Sequence, residues 1–196
     1  MTFIETVPEA EAAGQVAAFY AADREDGGYV RNLTAAFSRA PEVLAAWQQL
    51  NGAIKARMDP RRYELATLAA ARQIRSSYCA LAHGSVLLGQ FVDADGLQAI
   101  MADHHSAGLE PVDVAVMDLA EKVAADATSV GDDDVARLRE HGLSDSEIFD
   151  VVAAAAARCF FSKTLDGLGV QPDAQYAQLA PDVLGALTVG REVASE

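Results

Sequence analysis

A chain of 196 residues with 51% hydrophobic residues can bury one sizeable core. It has no charge-free apolar run of the roughly eighteen residues that a membrane span needs. Fifteen basic residues against twenty-nine acidic ones give a net charge of −14, and the basic residues are scattered with no cluster to override it, which excludes a phosphate backbone as partner. The opening MTFIETVPEAEAAG carries acids where a secretory leader has a basic region, and two distant cysteines make no disulfide framework. The expectation is a cytoplasmic protein with reduced thiols.

Taken in chain order, the sequence reads as helices separated by short polar connections. Pro8, Pro41, Pro60, Pro111, Pro172 and Pro181 each precede or open a segment rich in Ala, Leu, Val and Glu. Proline suits a first helical turn, where its missing N–H has no partner to lose. Asp59-Pro60 reads as an N-cap and first residue, and TVPE (Thr6, Glu9) and SDSE (Ser144, Glu147) fit a capping box. Helices are expected at about 8–22, 31–39, 41–57, 60–74, 77–91, 94–105, 111–126, 132–141, 145–164 and 181–192. No period-2 strand stands out, so the fold class is all-α, in a single domain over 1–196 with its motif region at 60–91. EIFDVVAAAAARCFF is apolar around nearly its whole circumference, which points to enclosure in a core or at a subunit interface, and hence to a homo-oligomer.

RSSYCALAHG, residues 75–84, carries the chemistry. Ser76 or Ser77 can cap a new helix with its hydroxyl, which places Cys79 in the first turn, where free N–H groups and the helix dipole favour a thiolate. His83 follows one turn later on the same face. Glu64 shares a face with Leu68 and Ala71, an apolar stripe on which a carboxylate needs a partner. On one continuous helix Glu64 and Cys79 would stand about 22 Å apart. A fold-back at the serines can bring Glu64 to His83, giving a carboxylate that orients a histidine beside a thiol. The same residues also read as a small buried hydrophobe and a chance Cys/His pair. Two local ligands are too few for a structural zinc site, and neither metal nor cofactor is expected.

The stretch YELATLAAARQIRSSYCALAHG resembles the core motif of alkylhydroperoxidase D-like proteins within the carboxymuconolactone decarboxylase superfamily. That pattern runs Glu, eleven residues, Cys, two residues, Cys, three residues, His. Glu64, Ser76, Cys79 and His83 stand at those positions. The flanks LAAWQQLNGAIKARMDPRRYELATLAAARQ and AVMDLAEKVAADATSVGDDDVARLREHGLSDSEIFDVVAAAAARCFFSKTLDGLGV extend the resemblance over roughly residues 30 to 190. It implies an all-helical fold in symmetric oligomers. It further implies Cys79 as the reacting thiol, with His83 and Glu64 as its proton relay. Ser76 replaces the cysteine that would close a disulfide, so a two-thiol cycle within the motif is excluded.

Three functions remain, in this order. The first is a peroxiredoxin-type single-cysteine peroxidase that reduces a small-molecule peroxide at Cys79 and is recycled by an external thiol reductant. The second is an acid–base enzyme of the decarboxylase branch, in which His83 and Glu64 act on a small lactone acid. The third is a non-catalytic oligomeric binding protein. Cys159 is expected in the core, on the stripe of Ile148, Val151, Val152 and Ala155; Trp47 and Tyr63 are expected to pack there too. His104-His105 and His141, each close to a glycine, read as solvated helix C-terminal positions.

Overall fold

Proline and short polar side chains set most helix starts. In a computed structural model that describes residues 2–195, Pro41, Pro60, Pro111 and Pro181 are the first residues of α3 (Pro41–Lys55), α4 (Pro60–Gln73), α7 (Pro111–Asp126) and α10 (Pro181–Leu187). The Asp59 carboxylate accepts from the Arg62 N–H and caps α4. The remaining helices are α1 (Gly14–Gly27), α2 (Asn32–Ala36), α5 (Ser77–Gln90), α6 (Ala94–Asp103), α8 (Asp132–Glu140) and α9 (Asp145–Gly167). Ser144 and Glu147 close the expected capping box on α9. No strand occurs among the described residues, and the fold is all-α.

Two ends differ from the sequence expectation. TVPE does not cap a helix: Glu9 bonds Arg24 instead, and the chain makes only a 3₁₀ turn over Glu9–Glu11 before α1 begins at Gly14. At the other end α10 stops at Leu187, because the chain is drawn onto the turn between α4 and α5. Gly190 N–H donates to Ser77 Oγ at 2.7 Å, and Arg75 Nε donates to the Val189 carbonyl at 3.2 Å. A Cβ on Gly190 would lie 2.0 Å from the Arg75 carbonyl oxygen, so glycine permits this approach.

α4 is the centre of the molecule. It is buried continuously from Tyr63 to Ala71 and packs against α5, α7 and α9. Alanines at 66, 69, 70 and 71 let those neighbours approach closely. The turn after α4 reverses the chain through Arg75, which holds a left-handed φ of 58°. α5 therefore runs back along α4, which is the fold-back that Glu64 needs. α9 is enclosed on one side only. Val151, Ala154, Ala155 and Leu165 face the core, while Phe149 and Phe160 are 66% and 49% exposed.

Candidate active site

Four helices meet around Cys79. α4 supplies Tyr63 and Glu64, α5 supplies Cys79 and His83, α3 supplies Trp47, Asn51 and Lys55, and α9 supplies Arg158. The structure thus brings Glu64 and His83 together as the sequence predicts. Glu64 Oε2 lies 2.6 Å from His83 Nδ1, and Lys55 Nζ donates to Glu64 Oε1 at 3.0 Å. Glu64 is 2% exposed. Its burial works to raise the carboxyl, but the hydrogen bonds and charges of His83 and Lys55 prevail and hold it below its ordinary value.

Burial, with the Arg158 charge, pushes the His83 imidazolium down to about 4, against the contrary pull of Glu64. The imidazole is therefore neutral at neutral pH. An ionised carboxylate only accepts, so Nδ1 carries the proton and donates it to Glu64. Nε2 is left as a bare acceptor. Glu64 thus fixes the tautomer of a base, the part a carboxylate plays in a hydrolytic triad.

Cys79 lies in the first turn of α5 and is 1% exposed. Its sulfur contacts Arg158, whose Nη1 stands 3.7 Å from Sγ. Arg158 Nη2 donates to the Tyr63 hydroxyl at 3.3 Å, and that hydroxyl donates to Asn51 Oδ1 at 2.7 Å. The guanidinium lies over the rings of Trp47 and Phe161, at 5.4 and 5.7 Å from their centroids. Arg158 is 4% exposed, forms no carboxylate pair among the described residues, and its buried Nε has no hydrogen-bond partner. A buried cation without a counter-ion is costly. A negative charge on Cys79, or on a group reacting with it, would relieve that cost.

Sequence reading missed Arg158. The signal was present, a single cation in an otherwise apolar stretch of α9, but periodicity counted the segment as enclosing surface. Tyr63 is buried as expected, and its hydroxyl is also a link in the site. Ser76 occupies the N-cap position, yet its hydroxyl does not bond the first turn as the sequence suggests. That hydroxyl is buried without a hydrogen-bond partner among the described residues.

Residues 41–122, from α3 into α7, match the family model described as the carboxymuconolactone decarboxylase family. This five-helix segment is similar to the carboxymuconolactone decarboxylase family. No curated protein matches the chain. Among solved structures, a peroxidase-related protein with an alkylhydroperoxidase AhpD core from Ralstonia eutropha JMP134 superposes with a TM-score of 0.80 at 20% identity, over 89% of this chain and 94% of its own. A peroxidase-related protein from Silicibacter sp. TM1040 gives 0.78 at 19%, over 88% and 92%. The debrominase Bmp8, in complex with 2,3,4-tribromopyrrole, gives 0.76 at 13%, over 95% and 98%. The fold is alkylhydroperoxidase D-like. The match to the carboxymuconolactone decarboxylase family contains Glu64, Cys79 and His83, whereas Arg158 lies beyond it.

The other singled-out residues fall outside this cluster. Cys159 packs partly buried against the core and has its thiol pushed up by burial. His104 is not the solvated helix end that the sequence suggests. It is buried, accepting from Arg72 Nη2 at Nδ1 and donating from Nε2 to Asp118, each at 2.8 Å. Asp103, His104 and His105 bring potential ligand atoms within 4.8 Å of one another, but both His104 nitrogens are already engaged. That trio is a poor metal site. No helix among the described residues is long and apolar enough to cross a membrane.

Proposed function

We propose that the protein is a single-cysteine thiol peroxidase acting on a small hydroperoxide. The observation that carries this reading is the Arg158–Cys79 contact: a buried guanidinium without a carboxylate partner among the described residues, directed at a thiol sulfur one helical turn before a neutral, oriented histidine on α5. The relay takes the thiol proton onto His83 Nε2, and Arg158 stabilises the sulfur anion. The thiolate attacks the terminal peroxide oxygen, the O–O bond breaks, and the departing alkoxide takes the proton from His83. Cys79 is left as a sulfenic acid. An external thiol condenses with it, releasing water, and a second thiol attacks the mixed disulfide to restore Cys79. The absence of a thiol at Ser76 makes the external reductant necessary.

Intact mass after a brief stoichiometric peroxide pulse tests the reading. Cys79 should gain one oxygen, trapped by a sulfenic-acid reagent, while Cys159 stays unmodified. Arg158→Gln should slow the step at least tenfold, the loss expected when a charge-assisted contact to the reacting atom is removed. Oxidation at Cys159 alone would reject the proposal.

A second reading, acid–base chemistry on a small lactone acid, is favoured by the completeness of the Glu64–His83 contact. Cys79→Ser would leave such an activity nearly unchanged, whereas it would abolish the peroxidase.

A further inference from the structure

A cleft of about 450 Å³ opens between the end of α1, the first two turns of α5 and the 3₁₀ turn Ala174–Gln178. Its size suits a small ligand. Three tyrosines line it, Tyr29, Tyr78 and Tyr176. The rings of Tyr78 and Tyr176 meet at 79° with centroids 6.4 Å apart, forming two walls of a corner. Asp173 sits at the cleft with its side chain buried, accepting from Asn32 N–H and from the Tyr78 hydroxyl. No cation pairs with it among the described residues. Arg31, at the same cleft, is already held by Asp23 at 2.8 Å and Asp26 at 3.0 Å.

The charges therefore do not balance. Asp23, Asp26 and Asp173 surround one arginine, leaving an excess of negative charge next to aromatic faces. The neighbouring tyrosines respond to it: burial first, then the Asp173 charge, raises the phenols of Tyr29 and Tyr176. Burial likewise raises Asp173 itself, against the pull of its bonds from Asn32 and Tyr78 and of the Arg31 charge. The negative faces of aromatic rings combined with a nearby carboxylate favour an ammonium group whose carbon substituents contact the rings.

We propose that this tyrosine cleft is a binding site for a small organic cation, of the substituted ammonium class. Glu64, Cys79 and His83 do not line the cleft, although Tyr78 adjoins Cys79 on α5 and Cys79 lies close enough to act on the Tyr176 phenol.

Choline, titrated by calorimetry into the full chain and into its Cys79→Ser variant, is a suitable probe. Saturable binding is expected in both, with the neutral carbon isostere of choline at least about tenfold weaker. Tyr176→Ala should weaken choline about tenfold, whereas Tyr176→Phe, which keeps the ring, should retain it. Asp26 is exposed, so Asp26→Asn leaves the packing intact and should weaken choline about two- to threefold. Equal affinity for the neutral isostere, no saturable binding in the wild-type protein, or binding unchanged by Tyr176→Ala in a variant that melts as the wild type does would each overturn the proposal.

Discussion

His83 links the site to acid stability. Its folded value of about 4 lies below the ordinary 6.5, so the folded protein binds fewer protons at this position than the unfolded chain does. The corresponding stabilisation is complete above pH 6.5 and is lost as the pH falls through 6.5 towards 4. The shift corresponds to roughly 3 kcal/mol. Glu64, also held low, acts in the same direction and adds its loss at lower pH still. His83→Asn keeps a donor for Glu64 without titrating. Melting temperatures at pH 7.5 and pH 5 should therefore differ much less in this variant than in the wild type. An undiminished pH slope in the variant would place the acid sensitivity elsewhere. At the same scale, the predicted effect of Arg158→Gln concerns rate, because its guanidinium touches the sulfur and does not hold the relay in place.

At the scale of elements, the turn between α4 and α5 makes the constellation. Most helix starts could be read from the sequence because their causes are local: Pro60 after Asp59, or Glu147 three residues after Ser144. The Glu64–His83 pairing was legible as a possibility, since a carboxylate on an apolar stripe requires a partner. Arg158 was not, because its partner is 79 residues away and nothing local fixes that contact. The buried His104 was misjudged for the same reason, its partners Arg72 and Asp118 lying on α4 and α7. The turn also allows a direct test of the redox reading. Ser76 and Cys79 are both buried and stand three residues apart at the start of α5. Ser76→Cys should then form an intrachain disulfide under peroxide, seen as a loss of two hydrogens, and should turn over with a dithiol reductant. The wild type should accept oxidant once and stall without added thiol. A folded variant that forms no disulfide would favour acid–base chemistry at His83.

For the whole molecule, the outward faces of α3 and α9 bear on assembly. Phe149 and Phe160 are eleven residues apart, about three helical turns, and so lie on one side of α9. Val43 and Leu50 are exposed on α3, which packs beside α9, and the Trp47 and Phe160 rings stand 6.1 Å apart across that junction. Exposed large apolar groups on adjoining helices form the kind of patch that a monomer seldom leaves open. We propose a second copy of the chain as its cover, since a two-fold contact matches such a patch with itself. With a net charge of −14, two copies also repel each other, so association should tighten as salt screens that repulsion. Light scattering at micromolar concentration should give particles larger than the 20.7 kDa chain, growing in population from low to moderate salt. Phe149→Glu together with Phe160→Glu should return the protein to monomer without lowering its helix content, because both rings are largely outside the core. Phe160 also lies two residues from Arg158 on the same helix, and touches Trp47, over whose ring the guanidinium rests. Separation of the copies should therefore also raise solvent access at that edge of the site, measured as faster alkylation of Cys79 in the double variant. A wild-type protein that remains a monomer at every salt concentration would reject the interface, and the apolar face would then need a different partner.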